Sequence, residues 1–179
     1  MKEIIIAGFG GQGVLSVGVI LANAGLKEGL NITWLPSYGA EQRGGTANCF
    51  VKISGEEIAS PYIDEADVLV AFNEPSLKKF VDKVKPGGYL FINSSLVKSA
   101  VDRDDIHVFS APVTDAAAQL GTAKAANVVM LGLMLAQTKL LSTEAAHQSL
   151  EEYFQPAGER MIEFNKKALA AGGKMGAGG

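Results

Sequence analysis

Cysteine and histidine are scarce in this chain of 179 residues, which contains one cysteine, Cys49, and two histidines, His107 and His147. One thiol cannot close a disulfide within the chain, and it cannot supply the four thiolates of an iron–sulfur cluster. The two histidines lie far apart in the sequence and show no metal-ligand spacing. We therefore expect no metal ion and no redox centre to be held by this chain alone.

The chain also lacks an excess of basic residues and a long run of apolar residues. Lysine and arginine number 16 against 19 acidic residues, for a net charge of −3, which argues against nucleic-acid and anionic-membrane partners. No apolar stretch reaches the roughly 20 residues that span a bilayer. The first residues form a strand-like run and not a signal segment. We expect a cytoplasmic protein of one domain.

Apolar periodicity predicts strands that alternate with helices through most of the chain. The strands are predicted over residues 3–7, 31–37, 46–53, 67–72, 89–93 and 106–110. The helices are predicted over residues 12–28, 74–85, 114–120, 123–139, 143–153 and 158–171. This alternation is typical of an α/β protein with a parallel sheet and right-handed crossovers. The expected architecture is therefore a single Rossmann-like three-layer domain, residues 1–171, with a mostly parallel sheet.

The last eight residues, GGKMGAGG, are rich in glycine. Glycine-rich segments behave as flexible coils, so residues 172–179 are predicted to be a flexible tail.

The segment GFGGQG, residues 8–13, joins the first predicted strand to the first predicted helix. We expect Gly8 to supply the turn, Gly10 and Gly11 to leave backbone N–H groups bare, and Gly13 to let the helix approach the strand. A helix N-terminus carries unpaired N–H groups and the positive end of the helix dipole, so it attracts phosphate. The segment also has the G-x-G-x-x-G spacing of dinucleotide-binding loops. A tight turn without any ligand remains the alternative.

A nicotinamide dinucleotide would require an acidic residue at the end of the second strand, about 20 residues further on. That strand ends in Leu-Pro-Ser at residues 35–37, and Glu41 lies several residues into the following loop. The dinucleotide fingerprint is therefore incomplete.

The second loop, PSYGAEQRGGTA at residues 36–47, leaves the carboxyl end of a strand that we expect to lie next to the first strand. Ligands of open α/β sheets bind at this edge. The guanidinium of Arg43 suits a phosphate or carboxylate, because its fork binds two oxygens at once. Glu41 could orient Arg43 or reach a partner subunit. The alternative is a solvated surface ion pair.

Four segments, GFGGQG, PSYGAEQRGGTAN, the strand end AFNEP and GTAKAANVVMLG, give the sequence a resemblance to a known family. Over about residues 1–170 it resembles the gamma subunit of the 2-oxoacid:ferredoxin oxidoreductases. The resemblance implies a complex that converts a 2-oxoacid, coenzyme A and oxidised ferredoxin to acyl-CoA, carbon dioxide and reduced ferredoxin. It also implies that this chain helps to bind coenzyme A and to enclose the thiamine site, with no catalytic residue and no activity alone. Overall resemblance mildly favours 2-oxoglutarate as substrate.

The same resemblance implies the partners. Thiamine diphosphate, magnesium and iron–sulfur clusters would be held by thiamine-binding alpha and beta subunits and a ferredoxin-like delta subunit. Ferredoxin would accept the electrons, and the isolated chain could pair as a homodimer. Two other interpretations remain open: a stand-alone Rossmann-fold oxidoreductase using NAD or a flavin, and a structural subunit that binds no ligand.

Cofactor-binding residues are carried over from the family's motifs onto the matching positions. Asn73 follows a strand end, where its amide could face the crevice. Asn127 interrupts an apolar helix and matches an N-x-x-x-L-G pattern, although an amide that serves only as a cap or within the core is an equal alternative. The expected cofactor-binding set is Gly10, Gly11, Gln12, Gly13, Tyr38, Gly39, Glu41, Arg43, Gly44, Asn73 and Asn127.

Overall fold

The computed structural model describes residues 1–38 and 46–176, and within them six strands and six α-helices alternate along much of the chain. The strands are β1 (Lys2–Phe9), β2 (Asn31–Tyr38), β3 (Thr46–Ser54), β4 (Ala66–Ala71), β5 (Val84–Asn93) and β6 (His107–Ala111). The helices are α1 (Val14–Lys27), α2 (Glu74–Phe80), α3 (Val113–Leu120), α4 (Ala126–Thr138), α5 (Thr143–Phe154) and α6 (Glu159–Gly176). The predicted α/β class is confirmed.

The strands form one sheet in the order β2-β3-β1-β4-β5-β6. β1, β4, β5 and β6 run parallel, whereas β3 is antiparallel to both β1 and β2. The sheet is therefore mostly parallel, as predicted. The expectation that β2 lies next to β1 is wrong, because β3 folds back from β2 as a hairpin and occupies that position.

Alternation along the buried strand β1 produces the three layers, because successive side chains point to opposite faces of a sheet. Ile4 and Ile6 face a core shared with α1, α3, α4, α5 and α6. Ile5 faces the second core, where Leu77 and Phe80 of α2 cover the opposite side of the sheet. The predicted three-layer arrangement is confirmed.

Helix α4 is largely apolar, and every residue from Ala126 to Leu135 is buried, including the polar Asn127. Such a helix belongs in the centre of a helical layer, and α4 packs against α1, α3 and α6. No helix in the described part of the chain is long and apolar enough to cross a membrane.

The flexible tail predicted from residue 172 onward is wrong for residues 172–176, which form the last turns of α6. A Cβ on Gly172 would overlap the carbonyl oxygen of Val129, and a Cβ on Gly132 would overlap that of Leu169. Glycine here permits the backbones of two helices to approach closely, and the amide of Gln137 donates to the carbonyl oxygen of Gly176. The remaining residues, 177–179, lie outside the described part.

The helix predicted over residues 74–85 ends at Phe80 and tightens into a 3-10 turn over Val81–Lys83. Strand β5 then begins at Val84, two residues before Pro86. The residue before a proline disfavours helical backbone, and Gly87 adopts a positive φ of 75°, so the chain enters the sheet instead of extending the helix.

Candidate functional site

The carboxyl ends of the parallel strands β1, β4 and β5 lie side by side at one edge of the sheet, here called the carboxyl edge. Ala7 of β1 pairs with Ala71 of β4, which in turn pairs with Ile92 of β5. The connections that leave these strands therefore gather in one place. The glycine loop, residues 10–13, leaves β1 here and leads into α1.

Two glycines of this loop need the left-handed conformation that other residues rarely adopt. Gly11 has φ 93° and Gly13 has φ 71°. A Cβ on Gly11 would meet nothing within 4 Å, so this position faces open space. The turn is therefore made at Gly11 and Gly13, and the expectation that Gly8 supplies it is wrong.

Gly8 lies inside strand β1, where it leaves room for a neighbouring side chain. A Cβ at this position would lie 2.7 Å from the amide oxygen Oε1 of Gln12 and 2.8 Å from Val14. Glycine is required here by that close approach and not by a turn.

We expected α1 to approach the sheet closely at Gly13, but this expectation is wrong. The close approach occurs at Gly18. A Cβ on Gly18 would lie 2.5 Å from Sγ of Cys49 and 2.7 Å from the indole nitrogen of Trp34. A Cβ on Gly13 would instead overlap the amide of Asn127 on α4. The role of Gly18 could not be predicted, because the sequence does not show which side chains pack against a glycine within a helix.

The first turn of α1 has no side-chain cap from the described residues, and it contains no acidic residue. The helical hydrogen bonds of α1 begin with the N–H of Val17, which donates to the carbonyl oxygen of Gly13 at 3.1 Å. The preceding N–H groups of the first turn have no helical acceptor. They border a cleft of about 430 Å³ lined by Phe9, Gly10, Gly11, Gly13, Val14, Leu15, Ser16 and Ala47.

The three amides predicted to bind a cofactor are engaged with the protein itself. Oε1 of Gln12 accepts a hydrogen bond from the N–H of Phe9 at 2.6 Å and from Nδ2 of Asn73 at 3.2 Å. Oδ1 of Asn73 accepts from the N–H of Ser76 and caps α2. Nδ2 of Asn127 donates to the carbonyl oxygen of Gly13 at 3.2 Å.

The second loop contributes only its two ends to the described structure. Tyr38 ends β2 opposite Ala47, and Ala47 pairs on its other side with Gly8. Both ends therefore meet the carboxyl edge beside the cleft. The predicted site residues Gly39, Glu41, Arg43 and Gly44 lie outside the described residues.

Strand β3, which lies between β1 and β2, argues against the alternative that this chain binds NAD. Two inter-strand spacings of about 4.8 Å place the end of β2 roughly 10 Å from β1. A dinucleotide-binding fold brings an acidic residue to the end of the strand adjacent to β1. Here that neighbouring position is taken by the start of β3, which begins with Thr46.

The sequence analysis missed Ser16, a polar side chain that lines the cleft, and its hydrogen-bond partner Tyr153. The hydroxyl of Tyr153 on α5 donates to Oγ of Ser16 at 2.7 Å. Ser16 lies in the first turn of α1, and Tyr153 is one-third exposed. A serine in the first turn after a glycine loop was an available signal, whereas the contact with α5 depends on the packing of the helices.

The lone thiol is held in its protonated form. Cys49 is fully buried, and burial raises its pKa to about 12, while a hydrogen bond from Trp34 acts in the opposite direction. A buried thiol is a poor nucleophile at neutral pH, because the thiolate is the reactive form. Among the described residues, no group of three or more His, Cys, Asp or Glu side chains could hold a metal ion.

Comparison with known proteins places the chain in a family. The family model for pyruvate ferredoxin/flavodoxin oxidoreductase matches residues 3–175. Ketoisovalerate oxidoreductase subunit VorA from Methanothermobacter thermautotrophicus is 43% identical over 167 residues, which cover 93% of this chain and 35% of VorA. The chain thus spans about a third of the length of this relative.

Two solved structures share the fold over nearly the whole chain. The keto/oxoacid ferredoxin oxidoreductase gamma subunit from Geobacter sulfurreducens is 30% identical, with a TM-score of 0.85 and 100% of both chains covered. The 2-oxoglutarate:ferredoxin oxidoreductase from Magnetococcus marinus, with 2-oxoglutarate, coenzyme A and succinyl-CoA bound, is 26% identical with a TM-score of 0.90. That match covers 99% of this chain and 31% of the other.

The sheet order and the glycine loop between β1 and α1 define a Rossmann-like, three-layer α/β domain. The chain belongs to the pyruvate ferredoxin/flavodoxin oxidoreductase family. Within that family it is similar over its whole length to the keto/oxoacid ferredoxin oxidoreductase gamma subunit. The resemblance stated from the sequence is confirmed.

Proposed function

We propose that this chain acts within a multi-subunit complex that converts a 2-oxoacid, coenzyme A and oxidised ferredoxin to acyl-CoA, carbon dioxide and reduced ferredoxin. Its own task is to bind phosphate groups of coenzyme A and to help enclose the thiamine site of its partners. The observation that carries the proposal is the uncapped first turn of α1, which opens on the cleft beside the glycine loop.

The donor set of the cleft fits a phosphorylated carrier. Backbone N–H groups at a helix N-terminus donate to phosphate oxygens, and the helix dipole favours negative charge there. The absence of an acidic side chain from the first turn of α1 leaves that field unopposed. We propose that Gly10, Gly11 and Gly13 allow close backbone approach, and that Arg43 adds a charge-assisted contact.

A structural relative supports coenzyme A, rather than another phosphorylated molecule, as the ligand. The enzyme from Magnetococcus marinus, solved with coenzyme A and succinyl-CoA bound, has the same fold over 99% of this chain. When bound, coenzyme A supplies the thiol that accepts the acyl group. The residues of this chain would hold its phosphates and exclude water from the partner's site.

The partner subunits must hold the remaining cofactors. One buried cysteine does not fit an iron–sulfur cluster, which requires four ligands. We therefore propose thiamine-bearing alpha and beta subunits, which also hold magnesium, and a ferredoxin-like delta subunit that passes electrons to ferredoxin.

We propose 2-oxoglutarate as the substrate, with ketoisovalerate as the competing candidate. The structural relative with the TM-score of 0.90 is a 2-oxoglutarate enzyme, whereas VorA is named for ketoisovalerate. Turnover of the assembled complex with each 2-oxoacid separates them. A higher kcat/KM for ketoisovalerate would reverse the assignment.

The coenzyme A site is tested by two matched variants of the assembled complex. Gly11 and Gly29 both have positive φ, 93° and 74°, and a Cβ on either meets nothing within 4 Å. Aspartate tolerates this backbone region, so Gly11→Asp and Gly29→Asp introduce the same charge with similar strain. We expect Gly11→Asp to raise the KM for coenzyme A about tenfold, because a carboxylate near a phosphate repels it by more than about 1 kcal/mol.

The control variant Gly29→Asp is expected to leave that KM unchanged. An unchanged KM for Gly11→Asp in a correctly assembled complex would contradict coenzyme A binding at this loop.

A further inference from the structure

The glycine loop is anchored at its start by one oxygen atom. Oε1 of Gln12 accepts from the N–H of Phe9 at 2.6 Å and from Nδ2 of Asn73 at 3.2 Å. It therefore joins the end of β1 to the corner between β4 and α2. Gly8 makes this geometry possible, because a Cβ there would lie 2.7 Å from the same oxygen.

A second amide anchors the end of the loop. Nδ2 of Asn127, a residue of α4 that is 6% exposed, donates to the carbonyl oxygen of Gly13 at 3.2 Å. A Cβ on Gly13 would overlap this amide, so Gly13 is needed for the contact as well as for its φ of 71°. The two loop ends are thus attached to three different elements of the fold.

All three anchoring side chains are neutral. Asn73 caps α2 through Oδ1, and an aspartate would cap a helix equally well. A glutamate at position 12 could likewise accept both hydrogen bonds that Gln12 accepts. A carboxylate at either place would, however, add a negative charge beside the N–H groups that face the cleft.

We propose that Gln12, Asn73 and Asn127 are positioning residues that hold the glycine loop in its phosphate-accepting shape without adding negative charge. They act through the loop, and not as the direct cofactor contacts that the sequence suggested. This inference rests on the proposed coenzyme A site, so its test must be separable from a failure of that site.

The test uses two variants at one position in the assembled complex. Gln12→Met removes the acceptor at similar length, so the N–H of Phe9 loses its partner and the loop loses its anchor. Gln12→Glu keeps the acceptor and adds only charge. We expect each variant to raise the KM for coenzyme A about tenfold, because one lost hydrogen bond or one nearby charge has an effect of this size. The kcat at saturating coenzyme A should stay within about twofold of the wild-type value.

Melting temperature separates the two causes. Gln12→Met should lower it, whereas Gln12→Glu should leave it near the wild-type value. Asn165→Ala is the control for stability alone. Asn165 is a buried amide whose Nδ2 donates to the carbonyl oxygen of Met161 on the same helix, α6. We expect this control to lower the melting temperature and leave the KM for coenzyme A unchanged.

The outcomes are distinct. If Gly11→Asp raises the KM while Gln12→Met does not, the anchoring role is wrong and the coenzyme A site stands. If Gln12→Glu retains the wild-type KM, the requirement for neutral side chains is wrong. If Gly11→Asp is itself without effect, the coenzyme A site is wrong, and the inference fails with it.

Discussion

The two edges of the sheet handle polar groups in opposite ways. At the amino edge, where the parallel strands begin, Glu3 forms ion pairs with Lys52 at 3.0 Å and with Lys85 at 2.6 Å, and Lys85 also contacts Asp67 at 3.4 Å. At the carboxyl edge, the anchoring side chains are neutral amides, and backbone N–H groups remain open to a cleft. The charged side chains of the amino edge pair with one another, whereas the carboxyl edge has backbone N–H groups of α1 that border a cleft.

The charged side chains of the amino edge are partly buried. Their ion-pair network therefore stabilises the fold only if every charge keeps its partner. The side chains of Lys52 and Glu3 are 8% and 14% exposed. Burial tends to raise the pKa of Glu3, but hydrogen bonds from Lys85 and Lys52 lower it below its usual value. The N–H of Glu3 also donates to the Asp67 carboxylate at 2.7 Å. Loss of one member would leave an unpaired charge out of water.

The largest effect on stability is expected for Glu3→Ala, because Lys52 would keep a buried charge without a partner. We expect a loss of about 3 kcal/mol in the free energy of unfolding, measured by urea denaturation. Glu163→Ala, which removes an exposed partner of Lys166, should cost less than about 1 kcal/mol. Similar losses for the two variants would show that the amino edge is no more than a surface ion-pair cluster. The KM for coenzyme A should be unchanged in the Glu3 variant.

At the carboxyl edge, Gly13→Ala should affect both stability and ligand binding. The new Cβ would overlap Asn127 and occupy a left-handed conformation, at a cost of about 2 kcal/mol. The KM for coenzyme A should rise, because the loop must shift. Gly29→Ala has the same backbone strain, φ 74°, but open space around its Cβ. If Gly13→Ala and Gly29→Ala lose the same stability and both keep the wild-type KM for coenzyme A, then the shape of the glycine loop at Gly13 is not needed for coenzyme A binding.

A smaller effect is expected for Asn73→Ala, which deletes the cap of α2 and the contact with Gln12. Loss of an N-cap costs about 1 kcal/mol, measured as the free energy of unfolding. Asn73→Asp keeps the cap and should be nearly as stable as the wild type while still raising the KM for coenzyme A. A full loss of stability in Asn73→Asp would mean that the donation to Gln12 contributes more than the cap.

The smallest effect is a pH dependence at the amino edge. Because the pKa of Glu3 is lowered on folding, its stabilisation is present above its ordinary value of 4.5 and is lost as pH falls through the folded-state pKa. Stability measured by denaturation below pH 4.5 should therefore fall less steeply in Glu3→Gln than in the wild type. Parallel pH curves for the two proteins would contradict this contribution of Glu3.

Much of the sheet could be predicted from the sequence, because buried strands and amphipathic helices have distinct periods. The position of β3 was missed, although a signal existed. Only residues 39–45 separate β2 from β3. A parallel neighbour needs a crossover of about a dozen residues or more, so a connection this short implies a hairpin.

Other features depend on contacts that a sequence does not display. The glycines at positions 172 and 176 resemble a flexible linker by composition, yet they lie against α4 and let α6 pack closely. The roles of Gln12, Asn73 and Asn127 likewise depend on distances between segments far apart in the chain. Motif matching identified these three residues, but only the geometry distinguishes an anchor for the loop from a contact with the ligand.

The central claim is that coenzyme A binds at the carboxyl edge, at the loop between β1 and α1. Hydrogen–deuterium exchange of the assembled complex, with and without coenzyme A, tests it within one sample. We predict slower exchange in peptides that cover residues 10–16 and unchanged exchange in those covering residues 84–88 of the amino edge. Unchanged exchange at residues 10–16 with coenzyme A at saturation would contradict the account.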